Sequence, residues 1–119
     1  MRMLTDPEIV FQMLADTTRL RIAVLLQSQG ELCVCELTEA LTVSQPKISR
    51  HLAQLREAEL FQARRNGRWM YYRINSDLPA WVKAVLQSTF DGVEKLSPYK
   101  EDALALKQMP NRPGASCCA

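Results

Sequence analysis

The chain has 119 residues, a length that fits one small domain. Its 47% hydrophobic and 24% charged residues are typical of a soluble globular protein. No apolar run approaches the roughly 18–20 residues of a membrane-spanning helix, and the first residues lack the pattern of a secretory signal. We therefore expect a cytoplasmic protein whose four cysteines stay reduced. A single histidine excludes metal sites built mainly from imidazoles and catalytic schemes that need two histidines.

Positive charge is concentrated in the middle of the chain. The formal net charge is only +2, yet residues 44–73 carry seven Lys and Arg side chains against two Glu side chains. A basic stretch within a nearly neutral protein is typical of a surface that binds a polyanion. An ordinary solvated face is the alternative if charge alone is considered.

Capping residues and apolar spacing predict five helices. They are expected at about residues 7–15, 18–28, 35–41, 45–58 and 78–95. Thr17 is the expected cap of the second helix, Ser44 that of the fourth and Asp77 that of the fifth. Thr42 and Val43 form the turn between the third and fourth helices.

Residues 60–74 have the pattern of a β-hairpin with Asn66 and Gly67 at the turn. A two-residue turn at these positions would place Arg65 and Arg68 opposite each other, with Arg64 nearby. Like charges paired across strands are destabilising. We therefore expect an anion such as a phosphate group to stabilise this tip.

Two short helices joined by a tight turn and followed by a basic hairpin predict a mainly α fold, the winged helix-turn-helix. On the fourth helix, Ile48, Leu52 and Leu55 fall on one face at about 100° per residue and form its buried stripe. The opposite face is basic and polar, which suits DNA bases and phosphates, although ordinary solvation is the alternative. The predicted DNA-binding residues on this helix and the hairpin are Ser44, Gln45, Lys47, Ser49, Arg50, Gln54, Arg64, Arg65 and Arg68. His51, at the edge of the stripe, is expected to be a packed or hydrogen-bonded helix residue.

Apolar faces on the first and last of these helices predict a homodimer. The first face includes Val10 and Met13, and the second includes Trp81, Val82 and Leu86. One small core cannot easily bury both faces, so we expect the two helices to pair across a two-fold axis. Such a dimer would set two recognition helices about one turn of DNA apart, which matches a palindromic operator.

Residues 1–97 are expected to form this DNA-binding and dimerisation domain. Residues 98–119 are rich in proline, so we expect a flexible C-terminal tail with at most one short helix at about residues 101–107. The tail carries a cysteine pair, Cys117 and Cys118.

The segment ELCVCEL at residues 31–37, followed by SQPKISRHL at 44–52 and LREA at 55–58, resembles the ArsR/SmtB family of bacterial metalloregulators. The resemblance runs over about residues 7–90 and includes LADTTRL at 14–20 and the Asn66-Gly67 hairpin. The pair Cys33 and Cys35 is similar to that of the arsenic-repressor branch. The resemblance implies a homodimeric repressor, not an enzyme, that leaves operator DNA when arsenite or antimonite binds cysteine thiolates.

The chemistry of Cys33 and Cys35 agrees with this resemblance, because thiolates select soft ions. On a regular helix these two side chains would face about 200° apart, so we expect the first helical turn to open when they share one ion. That distortion would displace the recognition helix. The alternative is that both cysteines are small buried core residues.

Trivalent arsenic prefers three sulfur ligands, and Thr38 stands where some arsenic repressors carry a third cysteine. Either Cys117 or Cys118 supplies the third sulfur ligand, or the site has only two sulfur ligands. Alternatively, Cys117 and Cys118 belong to a dispensable tail, or they form a separate dithiol site.

Two other functions use the same cysteines. A redox-sensing repressor of the same fold would respond through a labile disulfide within either cysteine pair. A thiol oxidoreductase or a metal carrier would use the dithiols, but it leaves the basic hairpin unexplained.

Overall fold

The computed structural model describes residues 6–110. Within that range the chain forms six α-helices and three β-strands. They are α1 (Pro7–Leu14), α2 (Thr17–Gln29), β1 (Glu31–Cys33), α3 (Val34–Leu41), α4 (Gln45–Glu57), β2 (Phe61–Asn66), β3 (Trp69–Ile74), α5 (Ala80–Val93) and α6 (Tyr99–Lys107). The predicted mainly α class and the hairpin are confirmed, and β1 is a third strand that was not predicted from the sequence.

Aspartates begin the first two helices. Oδ1 of Asp6 accepts the backbone N–H of Glu8 at 3.0 Å, and Oδ1 of Asp16 accepts that of Arg19 at 3.0 Å. This second hydrogen bond is the main cause that lowers the pKa of Asp16 below its usual value. Thr17 as the cap of α2 was wrong, because the carboxylate one residue earlier takes the cap position and Thr17 is already helical.

The start of α5 also differs from the prediction. Asp77 does not cap this helix, because its N–H donates to Oδ1 of Asn75 at 2.9 Å in a local turn of the Asx type. The chain passes Leu78 before Pro79 takes the N-cap position and α5 begins at Ala80.

The hairpin turn lies one residue later than predicted. The antiparallel sheet has the strand order β1-β3-β2, and Asn66 pairs with Trp69, so the turn consists of Gly67 and Arg68. Gly67 has a φ of 65°, which suits glycine at the first central position of a type II′ turn. The register pairs Arg65 with Met70. The predicted opposition of Arg65 and Arg68 was therefore wrong.

Buried side chains from the helices and the sheet form one core. Ile48, Leu52 and Leu55 of α4 are each 0% exposed, which confirms the predicted stripe. α3 and α4 meet at Thr42, whose left-handed backbone (φ 56°, ψ 45°) ends α3. Across residues 6–110, none of the helices has the length and apolar character to span a membrane.

α6 packs against α2 and α3. Leu106 and Met109 are part of the core. The buried carboxylate of Asp102 accepts two hydrogen bonds from Arg21, at 2.8 Å from Nε and 2.6 Å from Nη2. Arg21 also donates to the carbonyl of Leu41 at the end of α3, at 3.0 Å. The short helix expected at about residues 101–107 is present as α6. It is not part of a flexible tail, because buried apolar side chains and an ion pair hold residues 99–109 on the domain.

The rest of the predicted tail, with Cys117 and Cys118, lies outside the described residues. The flexible tail that we expected thus stays a prediction only for the residues after 110.

Replacing Asp102 is expected to destabilise the protein. The Asp102→Ala variant leaves the guanidinium of Arg21, 17% exposed, without its carboxylate, which costs roughly 2–4 kcal/mol of unfolding free energy. Urea denaturation at one fixed protein concentration measures the loss. Glu101→Ala on the same helix is the matched control, because Glu101 is exposed and bonds only to Ser97 among the described contacts. Equal stability of the two variants would contradict a structural role for the Arg21–Asp102 pair.

Candidate thiol site and nucleic-acid interface

Cys33 and Cys35 lie where β1 ends and α3 begins. Cys33 is the last residue of β1 and the N-cap of α3, with an extended backbone (φ −88°, ψ 164°). The two Sγ atoms are 3.0 Å apart. The prediction that these thiols face apart until the helix opens was wrong, because Cys33 precedes the helix. One ion can therefore meet both sulfur atoms without unwinding α3.

A buried carboxylate and the central strand surround this thiol pair. Glu36 is 3% exposed, and its Oε1 accepts the backbone N–H of Cys33 at 2.9 Å. In the sheet, Cys33 pairs with Tyr71 of β3. Burial raises the pKa of Tyr71, and the acidic groups of Cys33 and Glu36 raise it further. The hydroxyl of Thr38, in place of a third thiol, donates to the carbonyl of Val34 at 2.9 Å.

One open groove of about 690 Å³ extends from the thiol pair to the elements predicted to contact DNA. The thiols and Thr38 lie on one wall. The other walls come from the first turns of α4 and from the hairpin, hereafter the wing, and they include Gln45, Ser49, Arg68, Trp69 and Met70. A ligand on the thiols would lie in the same space as three predicted DNA contacts. Within residues 6–110, no group of three or more His, Cys, Asp or Glu side chains is placed to hold a metal ion.

α4 presents its polar and basic face to solvent. The side chains of Ser44, Gln45, Lys47, Arg50 and Gln54 are exposed, and that of Ser49 is half-buried. Nε2 of Gln45 donates to Oγ of Ser49 at 2.6 Å. Five of the six predicted contacts of this helix are thus exposed to solvent, and the sixth is half-buried.

Arg19 links this helix to α1 and α2. Its guanidinium donates to the carbonyl of Met13 at 2.8 Å and to Oε1 of Gln54 at 2.9 Å. It also lies 3.3 Å from Nδ1 of His51, whose Nε2 is 3.9 Å from Oδ1 of Asp16. His51 is buried, which agrees with the expectation of a packed helix residue. Sequence reasoning missed Arg19, because nothing in its local pattern shows contacts with residues that lie 32 and 35 positions away.

The three arginines predicted to contact DNA through the wing differ in their surroundings. Arg65 is exposed, and Arg68 is exposed with its guanidinium 5.1 Å from the centre of the Trp69 ring. Arg64 instead donates two hydrogen bonds to Glu31 of β1, at 2.9 and 2.6 Å. Its guanidinium also lies 4.7 Å from the centre of the Tyr71 ring.

Two aromatic rings are exposed side by side where α1 meets α5. Phe11 is 53% exposed and Trp81 is 38% exposed, and their ring centres are 6.3 Å apart. Trp81 belongs to the predicted dimerisation face, whereas Phe11 was not among the residues expected there. Neighbouring exposed aromatic side chains are typical of a protein interface.

Several known proteins are similar to this chain in sequence and fold. Residues 16–62 match the family described as bacterial regulatory protein, arsR family. The arsenic resistance transcriptional regulator ArsR1 of Pseudomonas putida is 54% identical over 114 residues, which cover 95% of this chain and 87% of the relative. ArsR2 of the same organism is 50% identical over 118 residues, which cover 98% of this chain and 100% of the relative. The crystal structure of the AntR antimony-specific transcriptional repressor has 30% sequence identity and a TM-score of 0.61, covering 72% of this chain and 75% of that one.

The matched segment begins at the cap of α2 and ends in β2, so it contains the thiol pair, the helix-turn-helix and the start of the wing. The two relatives extend the similarity over nearly the whole chain. The chain therefore belongs to the ArsR family of bacterial transcriptional regulators, and its fold is the winged helix-turn-helix.

Proposed function

We propose that this protein is a repressor that binds operator DNA as a homodimer and dissociates when trivalent arsenic or antimony binds its thiols. The observation that carries this proposal is the 3.0 Å separation of the Cys33 and Cys35 sulfur atoms in a groove shared with α4 and the wing. Relatives named as arsenic resistance regulators, and a solved antimony-specific repressor, support the choice of inducer. A bacterial repressor of this kind works in the cytoplasm, where its operator lies.

The proposed DNA surface combines α4 with the wing. Side chains near the start of α4 reach phosphates and base edges in the major groove, while Arg65 and Arg68 approach phosphates. The proposed contacts are Ser44, Gln45, Lys47, Ser49, Arg50, Gln54, Arg65 and Arg68. Arg64 was also predicted here, but it would first have to leave Glu31.

Cys33 and Cys35 supply two sulfur ligands in this proposal. Cys117 or Cys118 is the proposed source of the third, and both lie outside the described residues. The packing of α6 on α3 supports this source, because it anchors the start of the tail beside the helix that carries Cys35. Seven Cα–Cα steps separate Pro110 from Cys117, so this stretch can span up to about 25 Å when extended.

The shared groove provides a mechanism for release. An inducer held by the two thiols would occupy space bounded by Gln45, Ser49 and Arg68. It would therefore favour an arrangement of α4 and the wing that differs from the one fitted to DNA. Because such coupling is reciprocal, DNA and inducer each weaken the binding of the other.

The proposed dimer contact is the exposed pair Phe11 and Trp81. A partner copy that covers this patch would also join α1 and α5 across the two-fold axis. That pairing fixes the distance between the two recognition helices, so the dimer is part of operator recognition.

The thiol geometry also supports a second candidate, a redox-sensing repressor of the same fold. Two cysteine sulfur atoms 3.0 Å apart are close enough to form a disulfide from the reduced state, with an oxidant that takes up two protons and two electrons. An enzyme or a metal carrier has less support, because the relatives described above are transcriptional regulators.

Arsenite is expected to release the reduced wild-type protein from its own promoter DNA. Fluorescence anisotropy at fixed salt measures this release, since phosphate contacts make affinity depend steeply on salt. Cys33→Ser or Cys35→Ser should abolish release and leave the DNA affinity of the inducer-free protein nearly unchanged. Thr38→Ala is the matched control on α3 and should respond as wild type does. Binding that arsenite does not disturb, but that an oxidant does, would favour the redox candidate.

Loss of both tail cysteines is expected to weaken arsenite binding about tenfold or more, because one thiolate ligand of three disappears. The variant Cys117→Ser/Cys118→Ser is compared with Ser116→Ala by calorimetric titration under reductant. Unchanged arsenite affinity would show that the site has only two sulfur ligands.

Loss of the exposed aromatic pair is expected to weaken the dimer. The variant Phe11→Ala/Trp81→Ala should raise the dimer dissociation constant about tenfold or more, because buried aromatic side chains dominate interface energetics. Sedimentation equilibrium measures this constant. Leu104→Ala, on exposed α6 surface, is the control and should leave it unchanged. Equal dissociation constants for both variants would place the dimer contact elsewhere.

A further inference from the structure

A row of paired residues crosses the whole sheet from the thiol site to the wing. Cys33 of β1 pairs with Tyr71 of β3, and Tyr71 pairs with Arg64 of β2. Glu31 lies two residues before Cys33, so the two residues belong to the same side of β1. The carboxylate of Glu31 reaches across β3 to Arg64 of the wing. The strand that ends at a thiol is thus joined to the wing by a side-chain contact in addition to the sheet hydrogen bonds.

This contact has the geometry of a bidentate fork. Nε and Nη2 of Arg64 donate to the two oxygens of Glu31 at 2.9 and 2.6 Å. Two parallel hydrogen bonds fix the orientation of both side chains as well as their separation. The guanidinium is further positioned over the Tyr71 ring. The hydrogen bond to Glu31 is also the main cause that raises the pKa of Arg64.

The adjacent Arg65 provides a contrast. Its side chain is exposed, and no ion pair joins it to another residue in the range 6–110. The charge of Arg65 is therefore available to a phosphate group, whereas that of Arg64 is already matched by a carboxylate. Two neighbouring arginines of one basic stretch thus have different partners, which charge counting cannot distinguish.

We propose that Arg64 is a positioning residue that couples the thiol site to the wing through Glu31, and that it does not act as a phosphate contact. This inference rests on the proposed function. β1 is only three residues long and ends at Cys33, so an inducer that draws Cys33 toward a third ligand also moves Glu31. The fork is intact in the arrangement that binds DNA and is broken or shifted when inducer is bound. It therefore favours the state that binds DNA, and its loss reduces the effect of inducer on DNA affinity.

The experiment measures DNA affinity with and without arsenite, under reductant, over a series of salt concentrations. The variants are Glu31→Gln, Arg64→Gln and Arg64→Lys, with Arg65→Gln as the matched control. Arsenite weakens DNA binding by some factor in wild type, and we expect Glu31→Gln and Arg64→Gln each to lower this factor about threefold or more. The double variant should lower the factor no further than either single variant does. The DNA affinity of both single variants should depend on salt as the wild-type affinity does. Arg64→Lys should behave like Arg64→Gln, because it keeps the charge and loses the fork.

Arg65→Gln is expected to weaken DNA binding, to lower the salt slope by about one and to keep the full arsenite effect. The proposal is overturned if Arg64→Gln shows the behaviour expected of Arg65→Gln, while Arg64→Lys resembles wild type and Glu31→Gln strengthens DNA binding. Arg64 would then be a phosphate contact. Urea denaturation shows that each variant folds, and an exposed ion pair of this kind contributes little to stability.

Failure of the proposed function has a different signature. A wild-type protein whose DNA affinity ignores arsenite overturns both proposals at once. A wild-type protein that responds, with Arg64 variants that respond equally, overturns only the coupling role of Arg64.

Discussion

Cys33 serves both as the last residue of β1 and as the N-cap of α3, and the geometry of the thiol site depends on this double role. Its extended backbone places its sulfur 3.0 Å from that of Cys35, a distance that two residues of one regular helix would not allow. The same residue holds its place in the sheet through Tyr71 and donates its N–H to buried Glu36. A ligand on Cys33 therefore acts on a strand, a helix cap and a groove wall together.

Long-range polar contacts fix the helices around this junction. Arg21 joins α2 to the end of α3 and to Asp102 of α6, so the thiol helix is held at the end opposite its cysteines. Arg19 connects the end of α1 with Gln54 on the recognition helix. The hydrogen bonds of Arg19 thus link α1, which carries half of the proposed dimer contact, to α4, which carries part of the proposed DNA surface.

The basic stretch identified from charge contains residues of different kinds. Ile48 and its apolar neighbours on α4 are core, whereas Lys47 and Arg50 are exposed. On the wing, Arg64 is bound to Glu31 while Arg65 is exposed. The count of basic residues thus indicated the surface that we propose to bind DNA, because net charge is a property of the whole stretch. The partner of each arginine depends on which strand lies beside it.

Local patterns in the sequence alone predicted the helical segments, the buried stripe of α4 and the existence of the hairpin, and they singled out Cys33 and Cys35 as candidate ligands. Periodicity, capping and turn chemistry are local, so a single sequence displays them. The third strand, the docking of α6 and the fork between Arg64 and Glu31 depend instead on tertiary contacts. These features join residues 33 and 81 positions apart, and short β1 has no pairing signal without β3. The hairpin register was missed by one residue, because Asn66-Gly67 signals a turn whose position is set by the pairing of both strands.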